Sequence, residues 1–226
     1  MARLRSLIPL GAKHAVRRML GRPPSSARRY LPGRLTVDEF LRSLTAAGAR
    51  YAVLRWFETL PAVEPGNDID LLVADEDLAA VEALLTPYRP YRAAQKVDLY
   101  SAGGLPRTTF GGAPYFPPAL AARVLDGAVL LRGAYRVPAP ADHLDSLAFH
   151  AVYHKGQASG LPRTSGSGAD PTGRIAATLE RLARESGLPL ELSLEGLERH
   201  LASRGLLPGE ETAARLAAER VRLYSV

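Results

Sequence analysis

Apolar and polar residues alternate along the chain in a pattern that marks a small set of elements. Thr36 is suited to cap a helix, Asp38 and Glu39 fall in its first turn, and Phe40, Leu41 and Leu44 supply an apolar stripe ended by Gly48. Residues 51–55 form an apolar run of strand length. A polar loop with Pro61 and Pro65 follows, and then a second strand is predicted over residues 68–73. Leu78, Val81, Leu84 and Leu85 give residues 75–85 helical spacing, stopped by Pro87, and residues 96–100 read as a third strand. The Gly- and Pro-rich stretch 101–118 carries no period; within it Gly103-Gly104 and Gly111-Gly112 bracket Arg107, Thr108 and Thr109, a segment that can cradle an anion but is expected to be a flexible surface loop, an acceptor-side lid. Residues 124–131 read as one more strand.

Leu144, Leu147, Ala148, Ala151 and Val152 then predict a helix from about Asp142 to Gly156. Residues 156–173 are Gly/Ser-rich with almost no apolar anchors, the composition of a mobile loop. Three helical patterns close the chain, over residues 173–186, 194–204 and 210–223. Strands and helices do not alternate as a doubly wound parallel sheet requires. The predicted fold class is therefore α+β, a small mixed sheet with covering helices followed by a C-terminal helical unit. The expected divisions are a leader over 1–34, a domain over 35–156, a flexible loop over 157–172 and a helical cap over 173–226. No internal repeat is visible.

Charge changes this picture at one end only. The formal net charge is +6, but nine of the 29 basic residues and none of the 23 acidic ones fall in residues 1–34. That leaves 20 basic against 23 acidic residues in the remainder, so the folded part is mildly acidic and no nucleic-acid partner is expected of it. In the leader, Leu4, Leu7, Ile8 and Leu10 interleave with Arg and Lys. This is the makeup of a segment that touches anionic lipid, and equally of a disordered solubilising leader. A transit peptide shares the composition, whereas Pro9, Gly11 and Lys13 interrupt the apolar stretch of a signal peptide. No segment approaches the roughly 20 apolar residues of a membrane span. Cysteine is absent, which removes disulfides, thiolate ligands and Cys nucleophiles and fits a cytoplasmic setting, peripheral to the inner membrane face if the leader binds lipid.

The candidate chemistry lies in carboxylates. Asp68 and Asp70 alternate with Ile69, Leu71 and Val73, so both acids project from one strand face while the apolar residues enter a core. Two adjacent carboxylates repel unless a cation sits between them, and carboxylate oxygens suit Mg²⁺ or Mn²⁺. Asp98, between Val97 and Leu99, repeats the pattern. If its strand neighbours the first, three carboxylates converge and can bridge two metals.

Residues 66–73, Gly-Asn-Asp-Ile-Asp-Leu-Leu-Val, resemble the metal-binding strand of the DNA polymerase beta-like nucleotidyltransferase superfamily. More narrowly, the chain is similar to uncharacterised bacterial nucleotidyltransferase-like proteins often associated with cell-surface polysaccharide genes. The resemblance covers about residues 36–100, with a weaker echo to about 156. It implies a fold, a divalent metal held by Asp68, Asp70 and Asp98, and transfer of a nucleotidyl or related phosphoryl group, and it specifies no substrate; a nucleoside triphosphate donor and a small acceptor are the expectation. One departure stands out. The superfamily usually carries a Gly-Ser or Gly-Gly pair before the Asp pair to cradle phosphates, and this chain reads Arg55-Trp56-Phe57-Glu58 there. Arg55 is then the nearest candidate for the phosphates, or the donor is not an ordinary nucleoside triphosphate, or catalysis has been lost.

His150 and His154 share a helix face, but no acid lies near enough to complete a zinc site. His154 and Lys155, at a helix end beside a Gly-rich loop, are candidate cations for a phosphate, with a buried structural His154 as the ordinary alternative. Asp142 and Asp145 read as residues that cap a helix or complement its dipole. Gly-x-Ser-x-Gly and Gly-x-x-x-x-Gly-Lys are both absent. The sequence thus points to a metal-dependent enzyme acting on a small donor and acceptor, plausible in sugar or surface-polysaccharide chemistry. A phosphocholine or sugar-phosphate transferase of similar fold and an inactive binding module are the alternatives.

Overall fold

The computed structural model describes residues 28–110, 112–165 and 170–224. The first 27 residues of the expected leader therefore lie outside it. Within it the fold is α+β, built on a mixed four-stranded sheet. The strands are β1 (Arg28–Tyr30), β2 (Tyr51–Val53), β3 (Ile69–Val73) and β4 (Lys96–Ser101), in the order β1-β4-β3-β2. β3 and β4 run parallel, while β1 pairs with β4 and β2 with β3 antiparallel. The sheet thus takes in residues 28–30, which the sequence pattern places in the leader.

Helix α1 (Val37–Ala46) starts at Thr36, whose hydroxyl accepts from the Glu39 backbone N–H while Glu39 reaches back to the Thr36 N–H. This reciprocal capping follows from Thr and Glu three residues apart. Asp75–Asp77 makes a 3₁₀ turn leading into α2 (Leu78–Ala83). Residues 124–131 are not the single strand their apolar run predicts. Val124 belongs to α3 (Pro118–Asp126), where Pro118 opens the helix, and only β5 (Val129–Leu131) is extended, in a hairpin with β6 (Tyr135–Val137). Helix α4 (Pro140–Phe149) widens into a π-helical turn over His150–Lys155 and closes through a 3₁₀ turn, Gly156–Ser159. The three final patterns fold as α5 (Gly173–Glu185), α6 (Leu194–Ser203) and α7 (Glu210–Tyr224).

The period-2 pattern of the strands sorts the core into two layers. Tyr51, Val53, Ile69, Leu71, Val73, Val97 and Leu99 pack with Phe40, Leu41 and Leu44 of α1, Val81 of α2 and Tyr135 of β6. Ala52, Leu54, Leu72 and Tyr100 point the other way, into a cluster shared with α3, α4, α5, α6 and Leu216 of α7. The C-terminal helices therefore share one core with the sheet. β3 is buried along its whole length because both faces are covered.

The loop bracketed by Gly103 and Gly112 lies at the surface, with Leu105, Pro106 and Arg107 exposed, but it is pinned to the sheet, and the chain after it is buried. Thr109 continues the edge of β4 beyond β1, its N–H donating to the Leu99 carbonyl at 2.7 Å and its hydroxyl accepting from the Leu99 N–H at 2.9 Å. Tyr115 and Phe116 are buried. Gly104 makes the fold-back work. Its φ is 77°, its carbonyl accepts from the Gly112 N–H, and a Cβ there would lie 2.1 Å from the Ala113 carbonyl carbon. Residues 157–172 are also held at both ends: Leu161 is buried, Thr172 N–H donates to the Gly160 carbonyl, and Leu194 N–H donates to Pro162. Among the described residues no helix is long and apolar enough to cross a membrane.

The two glycine environments separate strain from overlap. Gly133→Ala, at φ 68° with nothing within 4 Å of its Cβ, is expected to cost only the left-handed backbone penalty of about 1–2 kcal/mol. Gly104→Ala is expected to cost distinctly more in urea-unfolding free energy, since it adds a backbone overlap to the same penalty. Equal costs would contradict this packing.

Candidate active site

The residues of one sheet face meet a cleft of about 1300 Å³, and Asp68, Asp70, Asp98, Arg55, His154 and Lys155 all line it. The geometry follows from strand register. Asp70 lies directly opposite Asp98 across the parallel β3–β4 ladder, and Arg28 of β1 lies opposite Asp98 on its other side. The next row along the same face holds Lys96 beside Asp68. Further along, Leu72 and Tyr100 pass under the helices. This sheet face is thus polar where the cleft opens and apolar where the core begins.

Like charges in register need compensation. Lys96 Nζ sits 2.5 Å from Asp68 Oδ2 and 2.9 Å from Asp98, bridging the two strands. Burial works against this ammonium, but its hydrogen bond to Asp68 and the charge of Asp98 outweigh that and hold its pKa above the ordinary value. Burial pushes the Asp98 carboxyl up, with Lys96 pulling against it and the neighbouring Asp70 and Asp68 charges adding to the rise. Arg55 Nη2 meets Asp70 Oδ1 at 2.6 Å, and the Tyr100 hydroxyl donates to the same oxygen at 3.1 Å.

Arg55 does not stand ready for a phosphate. It is 6% exposed and spent on Asp70 and on the Tyr115 hydroxyl, to which Nη1 donates at 3.0 Å. Burial opposes its charge, but the Asp70 carboxylate more than offsets this and raises it well above its usual value. Its role here is to orient Asp70. Nor is His154 a cation. Burial pushes it down to about 3, Nε2 bonds the Tyr115 carbonyl at 2.9 Å, and its ring stacks on Tyr115 at 3.9 Å. Burial lowers His150 well below its ordinary value too, and its Nδ1 meets the Tyr115 hydroxyl at 2.7 Å. Both histidines are buried, the ordinary outcome for such a pair. Asp142 and Asp145 do not cap α4. They accept from Arg123, and Asp145 also binds His200 and Arg204, tying α4 to α3 and α6.

Several residues at the site carried no signal of their own in the sequence. Tyr115 is the hub of the buried network and sits in the aperiodic Gly/Pro stretch. Arg28 and Arg107 also line the cleft, and the Arg107 carbonyl is fixed by Arg29 from the far side of the sheet at 3.2 Å. Trp56, where the Gly-Ser pair would stand, has φ 58°, an uncommon conformation for an aromatic residue, and the Arg174 guanidinium lies 4.1 Å from its ring centroid. The sign that could have flagged Lys96 was there, since Lys-x-Asp on a strand places the two side chains on one face.

The carboxylate oxygens are the hard donors that Mg²⁺ or Mn²⁺ takes. As the side chains stand, with Lys96 between Asp68 and Asp98, no three acid or histidine side chains among the described residues are arranged to hold an ion together. Carboxylate oxygens are the donor type such an ion takes, and Lys96 holds the position between two of them. A second cavity of about 940 Å³ lies behind the π-helical turn and shares Lys155, Ala158 and Leu216 with the first. Comparison of the chain with protein-family models, curated proteins and solved structures finds no match in any of the three.

The neutral histidines give the fold an acid limit. His143, pushed down to about 4 by burial, behaves as His154 does. The unfolded chain binds protons on these side chains below about pH 6.5 and the folded chain does not, so stability falls with pH through the window from about 6.5 to the folded values. At pH 5.5 each of the two is expected to cost about 1 kcal/mol relative to pH 7.5 in urea-unfolding free energy. A flat profile from pH 7.5 to 5.5 would show that these rings protonate in the folded chain.

Proposed function

We propose that this chain is a metal-dependent transferase that moves a nucleotidyl or related phosphoryl group onto the hydroxyl of a small acceptor, as in sugar or surface-polysaccharide precursor chemistry. The observation that carries the reading is the register of Asp70 with Asp98 on parallel strands, one residue row from Asp68, at the floor of the cleft. Asp68, Asp70 and Asp98 would hold Mg²⁺ or Mn²⁺, which when bound supplies charge neutralisation for the phosphates and lowers the pKa of a coordinated hydroxyl. Arg55 and Tyr100 fix Asp70 by its Oδ1, an orientation that survives only because both partners are buried. In the transfer itself the acceptor oxygen forms a bond to phosphorus, the bond from phosphorus to the leaving phosphate breaks, and the hydroxyl proton passes to a carboxylate, the part assigned to Asp98 in this reading.

Cleft-lining Arg28 and Arg107, together with Lys155 and with Arg174, which also pairs with Glu64 at 3.0 Å, bring positive charge to the phosphates of a donor, the part the Gly-Ser pair plays in the resembled superfamily. The adjoining cavity gives an acceptor its approach. The chain is nucleotidyltransferase-like in this reading, and it works on small molecules in the cytoplasm, with the basic residues that precede β1 as a peripheral contact to anionic membrane and no nucleic-acid partner.

A second reading changes the donor. Trp56 and Arg174 stand where a phosphate cradle is otherwise built, which favours a phosphocholine or sugar-phosphate donor over a nucleoside triphosphate. An inactive binding module is the remaining alternative.

Thermal shift with Mn²⁺ and nucleoside triphosphates separates these. Under the first reading wild type is stabilised only by metal and nucleotide together, and Asp70→Asn abolishes the effect. Stabilisation by metal without nucleotide moves the donor to the second class, and no shift with either favours the binding module. With a donor in hand, each of Asp68→Asn, Asp70→Asn and Asp98→Asn is expected to lower turnover by about 10²-fold or more, with the fold intact by circular dichroism. Full turnover in Asp98→Asn would break the three-carboxylate assignment.

A further inference from the structure

Three carboxylates and two side-chain cations share the cleft floor, so it keeps one net negative charge with all five groups ionised. The two cations differ in freedom. The Arg55 side chain is sealed among Asp70 and Tyr115, without room to leave. The Lys96 side chain is 28% exposed, borders the cleft, and carries a compact charge on a flexible four-carbon stem. Its ammonium stands where a cation shared by Asp68 and Asp98 would stand, at 2.5 and 2.9 Å from them. The backbone register fixes this placement: Lys96 neighbours Asp68 across the ladder and Asp98 two residues along its own strand, and all three share one sheet face.

We propose that Lys96 is a tethered counter-cation that a divalent metal must displace, and that on displacement it turns to the phosphates of the incoming donor. The inference rests on the metal-dependent reading above and adds an order to it. Metal alone binds weakly, because it must evict a cation already satisfied by two carboxylates. Metal arriving with a phosphorylated ligand binds more tightly, because the evicted ammonium finds a new anionic partner in the same cleft. The coupling is reciprocal: a phosphorylated ligand is held better in the presence of metal and metal better in its presence. The chain thereby avoids a standing metal charge in an empty cleft while its carboxylates remain compensated.

The test is Mn²⁺ binding followed by water-proton relaxation, first with Mn²⁺ alone and then with the preformed Mn²⁺–pyrophosphate complex, on wild type and Lys96→Met. The expected result is that Lys96→Met binds Mn²⁺ alone tighter by about tenfold or more, since the competing charge is gone. The same variant is expected to bind Mn²⁺–pyrophosphate more weakly than wild type does. Lys96→Gln keeps a hydrogen-bond donor without the charge and is expected to move both affinities in the same directions. It serves as the second background if Lys96→Met does not fold by circular dichroism. Equal affinity of wild type and both variants for Mn²⁺ alone would overturn the proposal and leave the metal reading standing. Failure of all three to bind Mn²⁺ at millimolar concentration, with or without pyrophosphate, would overturn the metal reading and the proposal together.

Discussion

The parallel pairing of β3 with β4 sets Asp70 beside Asp98 with no choice in the matter, because one ladder fixes the positions of both backbones. A one-residue slip of β3 against β4 would turn Asp70 into the core and bring Ile69, Leu71 and Val73 out to the cleft face. The apolar face therefore enforces the polar one. Once the acids are in register their mutual repulsion has to be met, and the chain meets it with Arg55 from the residue after β2's apolar run and Lys96 from the start of β4. The rest of the site can be read as support for those two cations.

That support is unequal by design of the packing. Arg55 is locked from behind by Tyr115, which in turn stacks between Tyr100 and His154 and meets His150. The histidines remain neutral there, so the network adds no competing positive charge to the arginine. The π-helical turn that carries them is a widened segment of the kind that often aims side chains into sites. Lys96 has no such cage. Its restraints are the two carboxylates themselves, which is why the proposal treats one cation as framework and the other as movable.

The sequence revealed what local period and spacing encode. Asp-x-Asp between Ile, Leu and Val announced a strand with a charged face, Thr36 with Glu39 announced a capped helix, and the three C-terminal stripes folded where their spacing placed them. What it hid was non-local. β1 is three residues long, too short to show a period, and exists because Tyr30 exchanges backbone bonds with Thr86 while Leu31 donates to Gln95. Residues 101–118 have no period because their anchors, Thr109 on Leu99 and Gly104 against Ala113, are single contacts made across the fold. Asp142 does fall in the first turn of α4, but the partners of Asp142 and Asp145 lie on or beside other helices and left no local sign. His154 and Arg55 looked like phosphate cations because burial, which decides their charge state and reach, cannot be read from neighbouring residues.

The central claim is that the floor of this cleft is a cation site built by three carboxylates. The most direct measurement is anomalous diffraction from crystals of the chain grown with Mn²⁺ and pyrophosphate. Anomalous density is expected in contact with the carboxylates of Asp70 and Asp98, with the Lys96 ammonium turned away from Asp98 toward the phosphates. Lys96 still bridging Asp68 and Asp98, with no anomalous density at the carboxylates, would contradict that claim.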